Sequence, residues 1–182
     1  MKKIILFLIF MTIPSFAIYV DAGVGVGGAS TELDDVAIDD KICTGCSDLA
    51  ISLGLRIGGQ VMDRLWVAGE LSGLGHRFYD SSNYMQFNSY LLGPSVIFYP
   101  VDHLHLSGSL GIAWTSNDTD LRGIDMYDGT GAAISLTVAY DTGIHDGALI
   151  GLKLFSSDVE LEKSEKDLST VGLTFFIAYV HK

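Results

Sequence analysis

The chain has 182 residues, a length consistent with one domain, and carries 22 Asp and Glu against 11 Lys and Arg for a net charge of −11. That balance argues against nucleic acid or anionic-lipid partners, because there is no basic patch to neutralise phosphates. Glycine is frequent at 21 residues and proline rare at 3, without a collagen-like repeat, which suits close strand contacts and a crowded interior.

Met1 to Ala17 have the three parts of a secretory signal peptide: basic Lys2 and Lys3, an apolar run from Ile4 to Ile13, and small Ser15 and Ala17 before a cut. The mature chain is then residues 18–182. The apolar run is too short for a transmembrane helix, and no later segment offers the roughly 20 apolar residues that one needs. A membrane form must therefore use strands, and an ordinary secreted protein stays open as the alternative.

From Ile18 onward, eight alternating segments separated by turn-rich stretches predict antiparallel β structure. The first, Ile18 to Gly27, sets Ile18, Val20, Ala22, Val24 and Val26 against Tyr19, Asp21 and three glycines. The second, Leu49 to Gly58, sets Leu49, Ile51, Leu53, Leu55 and Ile57 against Ala50, Ser52, Gly54, Arg56 and Gly58. In the third, Leu65 to Leu74, Leu65, Val67, Gly69 and Leu71 oppose Trp66, Ala68, Glu70 and Ser72. The fourth, Tyr84 to Tyr99, sets Tyr90, Leu92, Pro94, Val96 and Phe98 against Leu91, Gly93, Ser95 and Ile97. Pro94 cannot donate to a ladder, so a bulge or local weakening is expected there. In the fifth, Leu104 to Thr115, Leu104, Leu106, Leu110, Ile112 and Trp114 face away from His105, Ser107, Ser109, Gly111 and Ala113. The sixth, Gly131 to Tyr140, and the seventh, Ala148 to Phe155, repeat the contrast, with Lys153 on the less apolar face. The eighth, Ser169 to Lys182, opposes Val171, Leu173, Phe175, Ile177 and Tyr179 to Gly172, Thr174, Phe176 and Ala178.

Connections after the second, fourth and sixth strands are short, and those after the first, third, fifth and seventh are longer and polar. Short turns on one side and long loops on the other match outer-membrane barrels, whose termini then lie in the periplasm. The face opposite the apolar one is dominated by Gly, Ser, Thr and Ala with a few charges. An eight-stranded barrel has an interior just wide enough for side chains, so small polar residues are expected inside and the apolar face outside against lipid. Phe98, Tyr140 and Tyr179 fall at the short-turn end of that face and Tyr90 and Trp114 toward the long-loop end, as two interfacial girdles would.

The final segment, STVGLTFFIAYVHK, resembles the C-terminal assembly signal of outer-membrane barrels, polar-x-Gly-x-x-apolar-x-apolar, with Thr170, Gly172, Phe175 and Ile177 in those places. With phrases such as YLLGPSVIFYP and LHLSGSLGIAW, the mature length resembles the OmpA and OmpX-type family of small outer-membrane β-barrels. The resemblance implies an all-β, eight-stranded antiparallel up-and-down transmembrane barrel, surrounded by outer-membrane lipid and lipopolysaccharide and inserted by the barrel-assembly machinery. A monomer without a cofactor or metal is expected. The family includes adhesins, structural barrels, complement-resistance factors and a few lipid A-modifying enzymes.

Asp21, Arg56, Glu70, His105 and Lys153 are expected to point inward and to form an ion-pair network, with Asp21 and Arg56 the favoured pair. The same groups would line a proton path or a narrow channel, the alternative. His105 and Ser107 have a spacing that resembles a lipid A deacylase family whose His and Ser act with a carboxylate. The rise of the fifth strand from the Pro100 turn puts His105 at the periplasmic end, which argues against that enzyme. Cys43 and Cys46, in KICTGCS, allow a redox pair, half of a metal site or a disulfide. No second ligand pair is evident and the compartment is oxidising, so a local disulfide is expected.

Glu32, Asp34, Asp35, Asp39 and Asp40 load the first long loop, and Asp158, Glu160, Glu162, Glu165 and Asp167 the last. Divalent cations would find oxygen ligands there, although no Asp-x-Asp-x-Asp-Gly loop is present. Solvated loops on a rigid scaffold are the expected working part. The function expected is therefore a structural or adhesin-like surface barrel rather than an enzyme, with lipid A modification and a narrow channel as alternatives.

Overall fold

In the computed structural model the described residues are 18–34, 36–38, 47–79, 84–119, 128–162 and 166–182. The leader 1–17 and the Cys43–Cys46 pair lie outside them. Nine strands follow in order: β1 Ile18–Leu33, β2 Val36–Ala37, β3 Ser47–Met62, β4 Leu65–Tyr79, β5 Tyr84–Phe98, β6 Leu104–Thr119, β7 Gly129–Asp141, β8 Asp146–Leu161 and β9 Asp167–His181. Each long strand pairs antiparallel with the next, and β1 pairs with β9 from Val20↔His181 to Leu33↔Leu168, which closes an eight-stranded barrel. Closure leaves the barrel wall without an unpaired edge. The two-residue β2 folds back on the top of β1, pairing Leu33 with Val36.

The alternation fixes the register, because a slip of one residue would turn every side chain to the other face. Ile51, Leu53, Leu55 and Ile57 on β3 and Val171, Leu173, Phe175, Ile177 and Tyr179 on β9 are exposed, while Asp21, Arg56, Glu70, His105 and Lys153 are buried. At Pro94 the β5–β6 pairing stops after Leu92↔Ile112 and resumes at Ser95↔Ser109 in the same register. The ladder is interrupted there without a bulge. A Cβ on Gly93 would lie 2.2 Å from the Leu110 carbonyl, and one on Gly111 2.2 Å from that of Leu92, so only glycine fits this approach of two backbones. The register shift that does occur lies between Gln60 and Met62.

Two expectations are corrected. Strands of 15 or 16 residues extend well into stretches that read as loops: Glu32 belongs to β1, Asp158 and Glu160 to β8, and Asp167 to β9. Sixteen residues span about 50 Å along the strand, and about 40 Å along the axis once tilted, against an apolar band of about 25 Å in outer-membrane barrels. The excess forms a collar at the long-loop end. The turns at the other end remain short, Asp63–Arg64 being closed by Arg64 at φ 61° and Tyr99–His103 by His103 at φ 69°.

The second correction concerns the interior, expected to hold small polar residues. Tyr19, Trp66, Ile97, Tyr99, Leu149, Phe176 and Val180 form a buried apolar cluster at the short-turn end. Ala50, Leu74, Leu91, Ala113, Phe155 and Val159 form another further up. Leu33, Ile38, Phe78, Met85, Phe87, Leu161 and Leu168 fill the collar. Large side chains are accommodated because glycines, serines and alanines alternate with them on neighbouring strands, as close packing of a narrow interior requires.

Candidate functional site

The polar layer of the interior is built from register. Asp21, Arg56 and Glu70 are direct neighbours across β1, β3 and β4. Arg56 is 2% exposed; its Nη1 lies 3.2 Å from Asp21 Oδ2 and its Nε 2.7 Å from Glu70 Oε2. Lys153 reaches Glu70 Oε1 from β8 at 3.0 Å, Ser109 donates to Glu70 from β6, and Arg56 Nη2 donates to Thr137 from β7 at 2.8 Å. Four of the five expected residues thus form one network of two anions and two cations, which with Ser109 and Thr137 ties six strands together across the barrel. In a water-poor interior such a set holds only when every charge is paired, as here.

His105, the fifth, joins indirectly. Its Nε2 is 3.2 Å from the Tyr19 hydroxyl, which donates to Asp21 at 2.6 Å, and its ring stands edge-on to Tyr99. Ser107 Oγ is buried without a hydrogen-bond partner, so the two do not form the base–nucleophile contact that acyl transfer needs. Both face into the barrel, away from lipid.

Sequence reasoning missed the closure of the short-turn end. The Asp141 carboxylate accepts from Tyr99 at 2.8 Å, from Lys182 Nζ at 2.6 Å and from the Gly143 amide at 3.0 Å, and Lys182 Nζ lies 4.0 Å from the Tyr99 ring centroid. Trp66 packs edge-on to Tyr99 beneath it. The signal was present: Asp141 follows Tyr140 at the end of an alternating segment, where the inward phase places it. Tyr90 and Trp114 are direct neighbours on the outer surface with rings stacked at 5.4 Å, and at the opposite end Tyr140 stacks on His103 while Tyr179 donates to Asp146 at 2.7 Å. Phe98 is exposed beside them.

Charge divides along the barrel axis. Residues 30–48, 76–88, 115–130 and 156–170, the strand tops and connections of the long-loop end, hold sixteen of the 22 carboxylates and five of the 11 Lys and Arg. That difference equals the whole net charge of −11. Below those segments, the rest of residues 18–182 holds six carboxylates against Arg56, Arg64, Lys153 and Lys182, a sum of only −2. Among the described residues no cluster of three or more His, Cys, Asp and Glu is spaced to hold a metal ion.

No protein-family model and no curated protein matches the chain. Among solved structures it is similar to Ail, the attachment invasion locus protein of Yersinia pestis, in complex with the heparin analogue sucrose octasulfate. The TM-score is 0.60 and the identity 14%, over 90% of this chain and 99% of that one. Neisserial surface protein A gives a TM-score of 0.56 at 13% identity, over 88% of this chain and 95% of that one. The chain has the fold of a small outer-membrane β-barrel.

Proposed function

We propose that the protein is a monomeric barrel of the outer membrane, both termini in the periplasm, that works as a surface-interaction protein through its acidic collar and not as an enzyme. The observation that supports this reading is the segregation of charge: the segments of the long-loop end hold sixteen carboxylates against five Lys and Arg, above a barrel with a packed interior. Tyr90 and Trp114 mark the outer lipid interface, and Phe98, Tyr140 and Tyr179 the inner one. A disulfide between Cys43 and Cys46 staples the first loop. The filled interior speaks against free solute flow, and the missing His105–Ser107 contact against deacylation.

A sulfated sugar analogue sits on Ail. On this chain such a polyanion would meet sixteen carboxylates, so the favoured partner is cationic, a basic protein surface or a polyamine, with attraction that weakens as salt screens it. Surface plasmon resonance of residues 18–182 in detergent over immobilised polylysine and over heparin tests this. The expected result is salt-sensitive binding to polylysine, none to heparin, and a loss when Asp158, Glu160, Glu162, Glu165 and Asp167 are replaced by Asn or Gln. Binding to heparin, or none to polylysine at low salt, overturns it.

A further inference from the structure

On the outer wall, Ala22, Val24, Leu53, Leu55, Leu71, Gly73, Tyr90 and Trp114 line an apolar groove of about 610 Å³. Its floor on β4 is Leu71, Ser72 and Gly73, where the outward Gly73 presents no side chain. The stacked Tyr90 and Trp114 form one wall, the Tyr90 ring standing 3.0 Å from a Cβ built on Gly73. Leucines of β3 form the other. The groove opens on the apolar band, so acyl chains are the solvent that fills it.

At its upper end, four residues or about 13 Å along β4, the next outward residue above Gly75 is Arg77. Its guanidinium lies 4.2 Å from the Tyr84 ring centroid, and no carboxylate of the described residues is within ion-pair distance of it. Stacking on an aromatic face leaves the N–H edge available to an acceptor. Asp118, the carboxylate two strands away, accepts from the Tyr84 hydroxyl, and Asp48 is turned to His76. Gln86 and Asn88, amides suited to sugar hydroxyls, stand beside Arg77, Gln86 as its direct neighbour. The sector 76–88 holds one acid, Asp80, and one base, Arg77, whereas each of the other three sectors of the collar is net negative.

We infer that this groove and Arg77 form a site for one phosphorylated, multiply acylated glycolipid of the outer leaflet, an acyl chain lying over Gly73 and a phosphate on Arg77. The whole-chain charge opposes broad attraction to an anionic surface; a single guanidinium in a charge-balanced sector is local recognition. A second copy of this chain is disfavoured as occupant, because it would bring two acidic collars together. The inference rests on the outer-membrane orientation proposed above.

Native mass spectrometry of residues 18–182 in detergent, with a bis-phosphorylated lipid A as the probe and phosphatidylglycerol as the comparison, tests it. Lipid A is expected to be retained in preference, and Arg77→Ala to lower retention about tenfold, the loss of one charge-assisted contact. Gly73→Leu and Ala22→Phe, which fill the groove independently, should lower it similarly, and Gly108→Leu, outward on β6, should leave it unchanged. Equal retention by Arg77→Ala, equal binding of phosphatidylglycerol, or a dimer abolished by Gly73→Leu overturns the site. Heat-modifiable mobility of each variant reports the barrel separately. Loss of lipid selectivity therefore leaves the polylysine result untouched, and a misassigned orientation shows as loss of both.

Discussion

The same strand is built two ways. Along β8, in the band, Ile150, Leu152 and Leu154 face out and Lys153 faces in; above Phe155, in the collar, Asp158 and Glu160 face out and Val159 and Leu161 face in. Strand β9 repeats the inversion, with Leu173 and Val171 outward below and Asp167 outward with Leu168 inward above. The ladder is continuous through the change, so the strand backbone does not decide which face is apolar. The surrounding medium does: lipid requires apolar side chains outside and permits a polar network within, whereas water requires the reverse.

Substitutions separate the two regions, and the largest effect is expected in the band's interior. Arg56→Met leaves Asp21 and Glu70 against Lys153 alone and is expected to destabilise the barrel by about 3–5 kcal/mol. Denaturant unfolding in detergent reads this, and an unchanged midpoint would mean that the network does not hold the fold. Next, Leu168→Ala in the collar should cost about 2–4 kcal/mol as a buried truncation. The outward Leu173→Ala in the band leaves no internal cavity and should show a much smaller loss. Equal losses would erase the distinction between band and collar. Tyr90→Ala removes the stacked pair with Trp114 and should cost about 1 kcal/mol. Smallest of all, Glu160→Gln on the outer collar is expected to stay within about 0.5 kcal/mol of the parent, while Leu173→Lys in vesicles should cost about 2–4 kcal/mol near the bilayer centre.

The band was legible in the sequence because one face of each segment is apolar without interruption, so period two gave both the strand and its inward residues, Asp21 and Arg56 among them. The pairing of Glu70 with Lys153 was less so, since β4 and β8 are not neighbours and only closure brings them together. The collar was hidden by its inversion. Once the apolar residues change face, the alternation loses phase at residues such as Ser156 and Ser169, and Asp158, Glu160 and Asp167 read as loop. Alternation put Trp66 and Phe176 on the inward face, but not the extent of the apolar packing there, because a filled barrel takes large residues wherever a neighbouring strand supplies a small one. That trade between strands is invisible in any single segment.

The chain's two tryptophans lie on opposite sides of the wall, Trp114 outward beside Tyr90 and Trp66 inward and 8% exposed. Refolding Trp66→Phe and Trp114→Phe separately into vesicles of brominated lipid measures which side meets the membrane. Strong fluorescence quenching of Trp114 is expected, greatest with bromines placed near the headgroups, and little quenching of Trp66. Strong quenching of Trp66 with Trp114 unaffected, or a folded form of residues 18–182 that stays in buffer and leaves the vesicles unbound, would contradict it.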